Sequence, residues 1–156
     1  MTDYKAAAEA VFADFDAKSG LDYLQDVINA HHTYPFGELL NMRVVAAGDG
    51  TATVEATPDY KFYNPMMRIH GGYLASLVDA CLGSAVITKL AAGTGAGTVN
   101  LNISYVKKVD VETGILKATA TVLHAGRSML TAEAKITDAQ GKLYVHGQGT
   151  FLVYAK

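Results

Sequence analysis

The sequence predicts an α+β domain in which an antiparallel sheet wraps one long helix. Three observations point to it. A stretch from about Gly71 to Leu90 repeats apolar residues at helical spacing. Runs of strand character stand on both sides of it, two before and four after. The chain, 156 residues long and 50% apolar, has the size of one domain and enough apolar side chains to fill one core.

Residues 3 to about 17 read as a helix, with Tyr4, Ala8, Val11, Phe12 and Phe15 at three- and four-residue spacing. Thr2 is its expected N-cap and Gly20 its stop. Leu21 to Ala30 forms a second short helical piece, and His31-His32-Thr33-Tyr34-Pro35 reads as loop. Residues 1–35 are thus a helical lead-in, either a packing appendage or a lid, and 36–156 the body of a single domain. Leu39 to Ala47 and Thr51 to Thr57 are strand-like, with a hairpin signal at Gly48-Asp49-Gly50. Pro58 to Pro65 is a loop.

The long helix carries Leu74, Leu77, Val78, Cys81, Leu82, Ala85 and Ile87 close to one side. Gly93 to Gly97 reads as a flexible loop, and four strands follow at about 98–109, 114–124, 128–138 and 142–154. Within the first of them Val99, Leu101, Ile103 and Tyr105 alternate with Asn100, Asn102 and Ser104, which predicts two unlike faces. His124 to Arg127 and Asp138 to Gly141 are the later turns. Such a sheet has open edges, and pairing with a second copy would cover one, so a dimer is expected.

Composition excludes several classes. The balance of 13 basic and 15 acidic residues leaves no electrostatic footprint for nucleic acid or an anionic membrane. The lone Cys81 excludes an intramolecular disulfide and a Cys-based zinc cluster. His31-His32 and His124 with His146 lack first-row metal-ligand spacing, so no metal is expected. No apolar run approaches the ~20 residues that span a bilayer, and the N-terminus, with Glu9 and Asp14, does not read as a signal peptide. A soluble, cytoplasmic setting is expected.

Chemistry concentrates in Asn64 to Asp79, where Gly71-Gly72 opens the long helix. The first N–H groups of a helix lack internal partners and the helix dipole adds partial positive charge there. A carbonyl oxygen at that end would be polarised, and an oxyanion stabilised more. The alternative is that the glycines merely permit a tight turn. Asp79 falls on a helical face of small residues with Gly72, Ala75 and Gly83. A carboxylate on a covered face needs partners or a task; on an open flank it needs neither. Eight positions separate Gly71 from Asp79, or about 12 Å of helix. A base and an oxyanion donor must each lie about 3 Å from the reacting group. One copy of the helix cannot serve both roles at one carbonyl, but two antiparallel copies can.

The segment Asn64-x5-His70-Gly71-Gly72-x6-Asp79 resembles the hot-dog fold acyl-CoA thioesterases, in the branch of phenylacetate-degradation type, with likeness from about Phe36 to Tyr154. The resemblance implies a hot-dog fold with an N-terminal helical extension, and an enzyme releasing a free acid and coenzyme A from an acyl-CoA. It implies that Asp79 is general base or nucleophile and that the Gly71 N–H polarises the thioester carbonyl. Asn64 matches a residue that helps hold that carbonyl or the water, and Thr98 a hydroxyl that orients the water. Gly72 belongs to the same substrate-binding turn. His70 shapes the loop or contacts the acyl end, and Gly126-Arg127-Ser128 matches a turn touching the nucleotide of coenzyme A. Gly83 stands where another branch carries a hydroxyl residue. No cofactor is implied beyond the coenzyme A of the substrate, and the expected assembly is a homodimer, doubled to a homotetramer.

Tyr60, Phe62, Tyr63, Met66, Met67 and Tyr73 cluster near the motif, either lining an aryl or medium-chain acyl pocket or packing an interface. Two rival readings stay open. An enoyl-CoA hydratase or dehydratase would use His70 with an acid, and an acyl-CoA-binding sensor would bind without turnover.

Overall fold

The computed structural model describes residues 3–12 and 15–155, so the expected Thr2 cap lies outside the described residues. Three helices precede the sheet: α1 (Tyr4–Phe12), α2 (Gly20–Asn29) and α3 (Pro35–Leu39). Helix α1 is shorter than the periodicity suggested. Gly20 begins a helix and does not end one. Ser19 caps α2, its Oγ accepting from the Asp22 N–H at 3.2 Å, and the Gly20 N–H donates to the Leu90 carbonyl at 2.9 Å. A Cβ on Gly20 would stand 1.8 Å from the Ile87 carbonyl oxygen. This glycine exists for close approach, and the usual role of glycine as a helix stop misled the sequence reading. Pro35 then opens a helical turn that delays the first strand from the expected Leu39 to Met42.

Six strands form one antiparallel sheet: β1 (Met42–Gly48), β2 (Thr51–Ala56), β3 (Thr94–Tyr105), β4 (Leu116–Ala125), β5 (Met129–Thr137) and β6 (Leu143–Ala155). Their order is β1-β2-β4-β5-β6-β3, which leaves β1 and β3 at the edges. The β1–β2 hairpin closes through Asp49 and Gly50, with Gly50 at φ 72°, a conformation glycine adopts without steric cost. Helix α4 (Gly71–Ile87) touches all six strands. It buries Leu74, Leu77, Val78, Cys81, Leu82 and Ala85 against Val54, Leu116, Ile136, Val145 and Phe151, as the apolar stripe predicted. Each such Leu contributes roughly 1.5–3 kcal/mol through burial. Beyond the end of α4, Thr88 Oγ1 accepts the Gly50 N–H at 2.8 Å, and Lys89 Nζ meets Asp49 at 2.7 Å. These contacts fix the helix along the sheet.

Strand β3 departs from the sequence reading in two ways. It starts at Thr94, so the glycine-rich stretch read as a loop is strand, paired from Thr94↔Ala155 to Gly97↔Leu152. The Tyr154 ring lies across Gly95, where a Cβ would approach it to 2.6 Å, and supplies the apolar cover the glycines lack. Second, the pairing passes from Thr98↔Phe151 to Asn100↔Thr150, and the register shift leaves Val99 as the extra residue. Val99, expected inside, is 62% exposed on this bulge. The bulge changes the phase of the strand. Ala96 and Thr98 face α4 before it, and Leu101 and Ile103 face the core after it.

Candidate active site

Asp79 sits in the middle of α4, half-buried, and Thr98 Oγ1 donates to its Oδ1 at 2.9 Å. Among the described residues this is the hydrogen bond recorded for the Asp79 carboxylate, which leaves Oδ2 free to accept. A strand that kept Val99, Leu101 and Ile103 on one face would turn Thr98 away from the helix; the bulge at Val99 aims it at Asp79 instead. The pair borders a cavity of about 280 Å³. From α4 the cavity takes Asp79, Ala80, Gly83 and Ile87, and from the lead-in Val27, Tyr34 and Phe36. Its lining is mostly apolar; besides Asp79 and Thr98 it includes Arg43, His32 and the hydroxyls of Thr33, Tyr34 and Ser84. Arg43 is held toward Glu55 at 3.4 Å. Burial, then the neighbouring Tyr23, pushes the Tyr34 phenol upward, so this phenol stays uncharged.

The start of α4 is built differently. His70 is the N-cap, its Nδ1 accepting the Gly72 N–H at 2.8 Å, while its carbonyl accepts from Tyr73 and Leu74 at 3.0 and 3.3 Å. Of the four N–H groups that a helix leaves without internal partners, Gly71's is the one with no acceptor among the described residues. Tyr105 Oη donates to the Gly71 carbonyl at 2.9 Å and pins the residue from its other side. The result is a held, unclaimed donor at the positive end of the helix dipole. A neutral His70 with Nδ1 accepting carries its proton on Nε2.

The other expected site residues divide between these places. Asn64 Oδ1 closes its own loop, accepting from Met66 and Arg68 N–H at 2.9 and 3.2 Å, which leaves its amide nitrogen as the available group. The Gly72 N–H is taken by the cap. Tyr63 Oη accepts from the Val111 N–H at 3.1 Å, and Tyr63, Phe62 and Tyr73 border a groove with His70 and Gly72. Met66 and Met67 project outward, 77% and 59% exposed, and none of the six aromatic and methionine residues near the motif borders the Asp79 cavity. Arg127 and Ser128 are exposed in the β4–β5 turn. The row Thr98, Phe151, Leu130, Ala125 crosses three strand spacings, so that turn lies roughly 14 Å along the sheet from Thr98.

Sequence reasoning missed the lead-in as a wall of the cavity. Its one available signal was the apolar spacing of Tyr23, Leu24 and Val27, which marks a buried face without naming what it is buried against.

A family model described as the thioesterase superfamily matches residues 67–145, from the motif through β6's start. The chain belongs to the thioesterase superfamily. Two relatives agree with it. A protein of Halobacterium salinarum described as an esterase is 28% identical over 151 residues, covering 90% of this chain and 96% of its own. The 1,4-dihydroxy-2-naphthoyl-CoA hydrolase of Listeria monocytogenes is 28% identical over 127 residues, covering 76% and 95%. A conserved protein of Pseudomonas aeruginosa superposes with TM-score 0.72 at 33% identity, covering 78% of this chain and 95% of that one. A thioesterase of Streptococcus pneumoniae solved with coenzyme A gives 0.67 at 25% identity, covering 74% and 88%. The fold is the hot-dog fold and the chemistry thioester hydrolysis, as the motif resemblance implied.

In this thioesterase the single thiol is not a competing nucleophile. Burial pushes Cys81 up to about 12, against a smaller opposing effect of a backbone hydrogen bond, so the thiol stays protonated at neutral pH. No helix among the described residues is long and apolar enough to cross a membrane.

Proposed function

We propose that the chain hydrolyses acyl-CoA thioesters at a site shared by two copies. Asp79, oriented by Thr98, takes a proton from water as the water oxygen attacks the thioester carbon. The Gly71 N–H of the second copy, with the Asn64 amide beside it, holds the carbonyl oxygen as it becomes an oxyanion. Collapse breaks the C–S bond, and the proton on Asp79 passes to the departing thiolate, giving a free acid and coenzyme A. The observation that carries this reading is the separation of the two halves. Asp79 and Thr98 border one cavity, Gly71 borders another, and about 12 Å of helix lies between. The exposed edge of β3, with Val99 and Tyr105 outward, offers a second copy a strand to pair with. Acyl-CoA as substrate is supported by the naphthoyl-CoA hydrolase relative and the coenzyme A-bound neighbour. Arg127 and Ser128 lie at the Thr98 end of the sheet, within reach of the nucleotide on an extended pantetheine arm.

Thiol release from an acyl-CoA panel tests the reading. Asp79→Asn should lower kcat by about a thousandfold, as loss of a general base does, while substrate binding persists in calorimetry. Undiminished kcat would remove Asp79 from the mechanism.

A further inference from the structure

We propose that Gly83 and the α2–α3 lead-in together form a fixed gauge for the acyl group, admitting compact, uncharged acyl chains and excluding long ones. The proposal rests on the hydrolase reading above, which puts the thioester carbon beside Asp79.

Gly83 lies in the interior of α4, where glycine weakens a helix. Its backbone has no left-handed φ to explain it, and a Cβ added there would meet no atom within 4 Å. Within one copy neither conformation nor packing accounts for the residue. What it does is open the α4 side of the cavity one turn beyond Asp79. The opposite wall is α2–α3, and it is anchored. Gly20 abuts the Ile87 carbonyl, donates to Leu90, and is followed by buried Tyr23, Leu24 and Val27. A wall seated backbone-to-backbone has a set distance from α4, so the space between them selects by size. That space is about 280 Å³, at the small end of ligand pockets. Arg43 is engaged with Glu55 at 3.4 Å, and Val27, Phe36, Val44 and Ile87 make most of the remaining wall apolar, beside His32 and the hydroxyls of Thr33, Tyr34 and Ser84. The ligand chemistry that fits is a medium-length alkyl or a small aryl acyl group.

The test compares thiol release from acetyl-, hexanoyl-, decanoyl-, palmitoyl- and phenylacetyl-CoA by the wild-type chain and two variants. Gly83→Leu places a side chain in the open space. It should lower kcat/KM for decanoyl-CoA at least about tenfold more than for acetyl-CoA, with a thermal midpoint equal to or above wild type. Phe36→Ala opens the outer wall and should shift the preference toward palmitoyl-CoA. If Gly83→Leu affects all chain lengths alike and Phe36→Ala leaves the profile unchanged, while Asp79→Asn still silences the enzyme, the gauge is wrong and the hydrolase reading stands. If the wild-type chain releases thiol from none of the panel, the hydrolase reading falls and the gauge with it.

Discussion

The start and the middle of α4 carry the two halves of the site, and they are built in opposite ways. At the middle, half-buried Asp79 is partnered by Thr98 and borders a cavity of its own chain, with Gly83 opening space and the lead-in bounding it. At the start, the Gly71 N–H is held by its neighbours but faced by no acceptor, in a groove open to the outside. In the proposed mechanism the half around Asp79 selects and cleaves the acyl group. In the same proposal the half around Gly71 supplies the donor that steadies a carbonyl oxygen. The difference teaches why the proposed mechanism calls for two copies: within one copy about 12 Å of helix keeps the two places apart.

The same comparison applies to Gly20 and Gly83. Both lack a side chain for reasons of space, but Gly20 because a carbonyl oxygen already fills it and Gly83 because nothing does.

The largest effect that would break this contrast concerns the donor at Gly71. Gly71→Pro deletes the N–H at the first helical position, where proline is tolerated, and the extended His70 before it, at ψ 138°, suits a following proline. It should lower kcat by about a hundredfold or more with helix content unchanged by circular dichroism, whereas Gly71→Ala, which keeps the N–H, should stay near wild type. Equal activity of the two variants would deny the amide its role. A smaller loss is expected from Thr98→Val, which removes the hydroxyl's hydrogen bond to the Asp79 carboxylate. A bond to a charged group is worth about 1.5–3 kcal/mol, so kcat should fall roughly tenfold or more with KM little changed. Smallest is Gly20→Ala, where the added methyl must displace α2 from α4. About 1–3 kcal/mol of strain should lower the thermal midpoint by several degrees; an unaltered midpoint would show that the lead-in is not seated as described.

Much of this molecule is legible in the sequence where short-range pattern decides structure. The apolar stripe of α4, the Asp49-Gly50 turn and the strands after the helix follow from periodicity and turn chemistry. The errors fall where distant parts decide. Thr94 to Gly97 lacks an apolar period and becomes strand because β6 pairs with it and Tyr154 covers it. Val99 fits the alternation perfectly and is still expelled by a bulge, whose consequence is the Asp79–Thr98 bond. The family resemblance gives Thr98 a place beside the water that Asp79 would activate, and the regular alternation read beside it turns Thr98 away from the helix; one extra residue in β3 reconciles the two. The lead-in could not be placed because an amphipathic helix declares a buried face and not its partner.

The central claim is that the Asp79 of one copy works with the Gly71 of another. Mixing Asp79→Asn and Gly71→Pro chains under conditions that exchange subunits tests it most directly. Each mixed dimer then holds one intact pairing and one doubly damaged one, so random exchange should restore about a quarter of wild-type activity from two inactive parents. Activity that stays at the level of the parents after confirmed exchange would place both groups in the same copy and contradict the account.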